Sequence, residues 1–452
     1  MIVSAPLSKG VHPMNKILVF LRGNVLTLLC VSLLIGATAL AWHLLATPLD
    51  PYMRAEYAVM KGNPEYKDII GFRAGNFDWQ EYDYPAPPPM PDDTTTVYLS
   101  WRIPLSARFV NDHILFATTN QDAYVYLDDE LIYMHGDWSK LTDSRGRAFH
   151  YVHLDQDLAG KRLTIMLHSG YANWLGSLDY FYIGGENALI RKIGLADAIY
   201  TASLSIALSL IVFLIMDLVW RDIRTRRKIQ VYLIAFLVSF ILWTAGISSF
   251  FPRLLGIPEL WWELHLIMLY IMPLTFAKIT QEITSPKYTL VIHRIAVAYT
   301  LLFVVATISE ISGFDGYMNL LFLFYPILLV SCLALIYMLF RSDWSQYPAC
   351  RYGVIAMLSL TIFVGIDALH WEYHLLASML STTIFSIYAV IPFVFFLIRE
   401  QMQMDAQLAQ QNEVLARELQ ESQDEASRDF LTGAFNRHQL ADGIEKYGSL
   451  AN

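Results

Sequence analysis

Seven apolar runs crowd the C-terminal half of this chain, at residues 198–220, 231–250, 261–277, 288–308, 320–340, 352–369 and 376–398, and another lies near the N-terminus at 25–46. A hydrocarbon core is crossed by about 20 residues of helix, and these runs are close to that length. A lipid-exposed backbone must satisfy its own hydrogen bonds, so each run is expected as a helix. Pro273, Pro326 and Pro392 fall inside three of them; a bundle helix tolerates a proline and bends there. The chain is 55% hydrophobic and only 16% charged, against about a quarter charged for an ordinary soluble domain. Its formal charge of -9 argues against nucleic acid as a partner.

Loop charges set an orientation. Residues 222–228 read DIRTRRK, the densest basic cluster in the chain. Lys278, Lys287, His293 and Arg294 supply a second basic side two loops on, and Arg341 and Arg351 a third. The alternate connections are poor in basic residues: 252–260 has only Arg253, 309–317 carries Glu310 and Asp315, and 368–375 carries Glu372 with no Lys or Arg. Under the positive-inside rule the three basic loops are cytoplasmic. The segment before the bundle is then exported, and everything from Arg399 onward is cytoplasmic. Lys9, Lys16 and Arg22 precede the run at 25–46. Such a flank fits a signal peptide or a retained anchor, and the length of the run favours the anchor.

Between the first two spans the periodicity becomes that of strands. Residues 94–103 (TTTVYLSWRI), 113–118 (HILFAT), 123–133 (AYVYLDDELIY), 149–154, 162–167 and 180–183 are short β-branched and aromatic runs. Asp128-Asp129 between Tyr, Val and Leu flanks marks a hairpin turn. This pattern reads as an antiparallel β-sandwich or jelly roll. Pro85, Pro87, Pro88 and Pro89 form a stiff connector, and residues 48–80 are less regular, packing against the sheet or the membrane surface. The segment holds no cysteine; Cys30, Cys332 and Cys350 all lie elsewhere, so it folds without disulfides. Trp138, Tyr171, Asn173, Trp174, Asp179 and Tyr180 lie in or beside the expected loops. Aromatic faces beside amides and carboxylates suit a sugar or another small polar ligand; the competing reading is that these aromatics fill the core or meet the lipid surface. His150 and His153 should face opposite sides of a strand, which argues against a shared metal. In the bundle, Asp217 and Asp367 sit within a turn or two of a membrane face, where local solvation explains them more simply than a buried function.

Residues 399–428 are rich in Gln, Glu, Ala and Leu without Pro or Gly, a composition that favours helix. Leu408, Leu415 and Leu419, with Met404 and Ala426, make a partial apolar stripe that Asp405 and Asn412 interrupt, so any coiled coil is polar-marked. Residues 429–437 then read DFLTGAFNR. Asp429, Leu431, Thr432, Gly433, Asn436 and Arg437 resemble the D-x-L-T-G-x-x-N-R opening of the GGDEF domain of bacterial diguanylate cyclases. In that family the motif follows a signalling helix, and the corresponding Asp and Arg close a turn as an ion pair. Here Thr432-Gly433 breaks the helix and Asn436 suits a cap for the next one. His438 stands where the family often has a second Arg. The wider layout resembles the seven-transmembrane diverse intracellular signalling receptors, which join an exported jelly roll to cyclase, kinase or phosphatase outputs.

The resemblance implies a cyclase that condenses two GTP with Mg2+ into cyclic di-GMP. No GG[DE]EF string occurs in the 452 residues; Gly184-Gly185-Glu186, the nearest approach, lies in the exported segment. The chain as given is therefore expected to be inactive alone and to carry no cofactor. A truncated gene or fragment, an artificially chosen end point and a degenerate receptor that works through partners all fit, the first best. The expected fold is a multi-span α-helical membrane protein with an exported β-sandwich. Its parts are a cytoplasmic N-terminus (1–24), an anchor (25–46), an exported sensor (47–196), a seven-helix bundle (197–398), a signalling helix (399–428) and the start of a GGDEF domain (429–452). The expected function is a signal receptor in a bacterial inner membrane that senses a small molecule or sugar, as a homodimer or paired with an intact relative through the juxtamembrane helix. The alternative is a transporter or membrane-bound enzyme with an exported accessory domain, for which midplane polar groups and paired broken helices are not found.

Overall fold

A computed structural model describes residue 36 and residues 54–427, apart from 61, 63, 92, 106–111, 137–145, 155–157, 172–173, 221–226 and 374–380. The anchor at 25–46 and the motif at 429–437 lie outside the described residues.

Among the described residues, nine strands form two antiparallel sheets. β1 (Ala55–Met60), β2 (Gln80–Tyr82), β3 (Thr96–Arg102), β5 (Asp122–Leu127), β6 (Glu130–His135) and β8 (Arg162–His168) make one, in the order β2-β1-β3-β8-β5-β6. β4 (Asp112–Thr119), β7 (Arg147–His153) and β9 (Tyr180–Gly185) make the other, in the order β7-β4-β9. From β3 onward the chain passes repeatedly between the sheets, so each needs the other to be covered. Period-two side chains deliver the core: Val97, Leu99 and Trp101 of β3 and Leu163, Ile165 and Leu167 of β8 meet Ile114, Phe116, Val152 and Phe181 of the smaller sheet. Trp101 and Phe181 stack across the gap at 4.3 Å between centroids.

The opposite residues of the larger sheet are buried too. Tyr98, Tyr124, Tyr126 and Met166 pack under Ile69 of a short helix α1 (Tyr66–Ile70) and under Phe72, with Phe77 and Trp79 beside them. The irregular stretch expected at 48–80 therefore does pack on the sheet, but it also holds an unexpected strand. β1 pairs with β3 along its whole length, although Ala, Glu and Met in AEYAVM favour helix in isolation; sheet contacts override that preference. The hairpin turn falls where expected, with Asp128 at φ 55° between β5 and β6.

Seven long helices follow among the described residues: α2 (Glu186–Trp220), α3 (Arg227–Ile247), α4 (Pro258–Ile283), α5 (Thr289–Ile311), α6 (Leu321–Arg341), α7 (Ala349–Tyr373) and α8 (Ile387–Ser427). Each contains a segment long and apolar enough to cross a membrane, and the architecture fits a multi-pass membrane protein with a β domain outside the lipid. Pro273, Pro326 and Pro392 lie inside α4, α6 and α8. The final apolar run is only partly α-helical: a 3-10 turn at Thr382–Ser386 precedes α8.

The smaller sheet faces the bundle. Lys192 of α2 lies 4.3 Å from the Tyr182 ring centroid of β9, Tyr171 donates to Asp315 beyond α5, and Trp174 meets Trp262 of α4 edge-on. The connections touching the sandwich are thus those poor in basic residues. At the other end Cys350 donates to the Ile283 carbonyl and the Ser285 amide to Ser342, drawing together the loops that carry Lys287, Arg341 and Arg351. Asp217 near the end of α2 accepts from Gln230 of α3.

The compact unit holding the sandwich and most of the bundle reaches Phe393, and a second unit begins at Val394. In this second unit Met402, Leu408, Val414, Leu415 and Leu419 are all exposed along α8.

Candidate functional site

Where the smaller sheet meets the bundle lies a cavity of about 110 Å³, several times what one ordered water needs. Its first wall comes from the start of β7. Gly146, at φ +100°, lies so close to α4 that a Cβ there would come within 2.9 Å of the Pro258 carbonyl. Its amide donates to Asn120, and this turn delivers Arg147 into the cavity. The Arg147 Nε donates to Asp179 at 2.6 Å, with side-chain exposures of 10% and 15%, so the pair is largely out of water. Another guanidinium nitrogen donates to the Ile247 carbonyl at the end of α3, 2.8 Å away, one of the acceptors a helix C-terminus leaves unsatisfied. Burial opposes the Arg147 charge, but Asp179 overrides it with further help from Tyr200 and Tyr180, and the pKa is raised.

The second wall is aromatic. Trp174 of the sandwich, Trp243 of α3, Trp262 of α4 and Tyr325 of α6 all line the cavity. His265 lies between two of the indoles, its ring centroid 5.6 Å from each of Trp243 and Trp262 at nearly parallel angles. The Nε1 of Trp243 has no hydrogen-bond partner among the described residues, whereas His265 interacts with the Trp243 backbone.

The third wall is the head of the last helix. Asp367 of α7 is buried, not solvated as its position near a membrane face led one to expect. It accepts from the amides of Thr382 at 2.7 Å and Thr383 at 2.8 Å, from the Thr382 hydroxyl at 2.7 Å, and from the Ser381 hydroxyl. A carboxylate here does for the 382–386 turn what an N-cap side chain does for a helix, from a neighbouring element. The Ser381 amide in turn donates to Tyr200 of α2.

Of the six residues singled out in sequence, Trp174 and Asp179 line the cavity. Tyr171 holds the sandwich to Asp315 instead. Tyr180 is fully buried on β9 and its hydroxyl has no partner among the described residues; burial pushes its pKa up. Trp138 and Asn173 lie outside the described residues. Arg147, Trp243, Trp262 and His265 went unrecognised. A signal was present for the last two: Trp261-Trp262-Glu263-Leu264-His265 places ionisable groups in an apolar run, which marks a functional hypothesis by default. His150 and His153 do take opposite faces. His150 is buried between the hydroxyls of Thr118 and Tyr133, and His153 contacts His113.

The chain matches no protein-family model and no curated protein.

Proposed function

We propose that this chain is a transmembrane signal receptor whose sensing site is the cavity under the sandwich. One observation carries the reading. The cavity is bounded at once by the sandwich's Arg147 and Asp179, by the aromatic ends of α3 and α4, and by Asp367, Ser381 and Thr383, which hold the head of the segment leading into α8. A ligand that shifts the sheet relative to α3 changes the geometry at Asp367, and α8 continues unbroken from Ile387 to Ser427.

The output belongs, on this reading, to the cyclic di-GMP class, because DFLTGAFNR at 429–437 resembles the GGDEF opening. Residues 47–196 act as the sensor, 197–398 as the bundle and 399–428 as the signalling helix. The basic loops gathered at the bundle end away from the sandwich support a bacterial inner-membrane orientation with the sandwich outside. The exposed Leu408, Leu415 and Leu419 support pairing of α8 with a second copy or with the juxtamembrane helix of a related receptor.

The test places cysteines at Leu408→Cys and Leu415→Cys and measures disulfide cross-linking between copies in membranes, with and without Arg147→Ala. A change of twofold or more in cross-linking rate on Arg147→Ala supports the relay. Equal rates refute it. Reporter fusions after residues 222, 315 and 452 should read inside, outside and inside; an exported reporter at 452 reverses the orientation.

A further inference from the structure

The charged groups around the cavity are already engaged within the protein. Asp179 neutralises Arg147 at 2.6 Å, and Arg147 also commits a donor to the Ile247 carbonyl. Asp367 is held by two backbone amides and two hydroxyls. An anion entering here would find its cation engaged, and a cation would have to take a carboxylate from donors that hold the 382–386 turn. An anion would thus bring in a charge with no free cation to meet it, and a cation would have to break the hydrogen bonds that satisfy Asp367, each a heavy cost.

The remaining lining favours something flat and apolar. Trp174, Trp243, Trp262 and Tyr325 offer ring surface, and Met272 and Met318 add adaptable packing. One polar atom in this wall, Trp243 Nε1, is unpartnered among the described residues. An indole N–H only donates, so it is satisfied by an acceptor oxygen and by no donor. The volume of about 110 Å³ is on the scale of an apolar cavity of roughly 150 Å³ known to admit benzene.

From these features we infer that the cavity binds a small neutral molecule with an aromatic or flat apolar body and one hydrogen-bond-accepting oxygen. The assignment rests on the receptor reading only in taking this cavity as the sensing site.

Three probes of matched shape and different charge test it: benzyl alcohol, benzoate and benzylamine. Each is titrated into the full chain in nanodiscs, following Trp fluorescence, with empty nanodiscs subtracted to remove partitioning into lipid. Benzyl alcohol should bind saturably and at least tenfold more tightly than either charged probe. Met318→Trp and, separately, Met272→Phe fill the cavity; the variant that retains the wild-type melting profile should lose at least tenfold in benzyl alcohol affinity. Charged probes binding as well as the alcohol, undiminished binding in a folded filled variant, or no saturable binding each overturns the inference. The two readings fail separately. If benzyl alcohol binds and the Leu415→Cys cross-link does not respond to it or to Arg147→Ala, the ligand class stands and the receptor reading falls. If nothing binds while Arg147→Ala still changes the cross-link, the ligand class alone falls.

Discussion

Replacing Arg147 by Ala should loosen the joint between sandwich and bundle more than any other single truncation there. The substitution leaves Asp179, whose side chain is only 15% exposed, as a buried carboxylate without its cation. It also deprives the Ile247 carbonyl of its donor. Breaking a buried pair from one side costs about 3–5 kcal/mol, and that figure already contains the lost charge-assisted hydrogen bonds. At about 1.4 kcal/mol per factor of ten, local opening should become on the order of 100-fold more frequent at the low end. Hydrogen exchange of the full chain in nanodiscs reads this directly, at the amides of residues 147–153 and 244–247. The cost comes from the stranded charge, so Arg147→Ala with Asp179→Asn should recover at least half of the lost protection. Asp179→Asn alone should be milder than Arg147→Ala, because Arg147 keeps its bond to Ile247. Wild-type exchange in Arg147→Ala, or strictly additive single and double variants, would show that the pair does not hold the joint.

Acid should weaken the sandwich. Burial holds His150 well below its usual pKa, with His135 adding to the effect, and burial lowers His135 as well. The folded state then binds fewer protons than the unfolded one, so stability is full above about pH 6.5 and falls below it, by up to about 1.4 kcal/mol per pH unit for each such histidine. Melting curves of the β signal between pH 7.5 and 5 should show this loss, and His150→Gln should flatten it; an unchanged slope in the variant would place the acid sensitivity elsewhere. Trp101→Ala removes a fully buried ring stacked on Phe181 and should cost about 3–5 kcal/mol, read as a lowered denaturation midpoint. Asp367→Ala strips the amides of Thr382 and Thr383 of their acceptor and should cost about 1–2 kcal/mol on the scale of a lost N-cap, seen as faster exchange at residues 382–386 with the sandwich unaffected.

The strands and spans were legible because each depends on a local period. Val97, Leu99 and Trp101 alternate with Tyr98 and Ser100 in the sequence as they do across β3, and the helices follow apolar runs that no soluble core requires. β1 was not legible, since AEYAVM becomes a strand only by pairing with β3. The site was half legible. Trp174 and Asp179 stood out as polar and aromatic residues beside a strand, but their partners come from far along the chain. Arg147 meets Ile247 a hundred residues away, and Trp174 meets Trp262. Asp367 was visible as an intramembrane carboxylate; its role was hidden because the amides it caps belong to the next element.

The central claim is that the state of the junction cavity is passed along α8 to a cyclase-type output. Its most direct test joins residues 1–428 to a complete diguanylate cyclase domain and measures cyclic di-GMP formation in membranes from GTP and Mg2+. Filling the cavity with Met318→Trp, or unlocking it with Arg147→Ala, should change the turnover at least fivefold at equal protein level. Turnover that stays the same in both variants, from a fusion shown to be active and correctly inserted, would contradict the account.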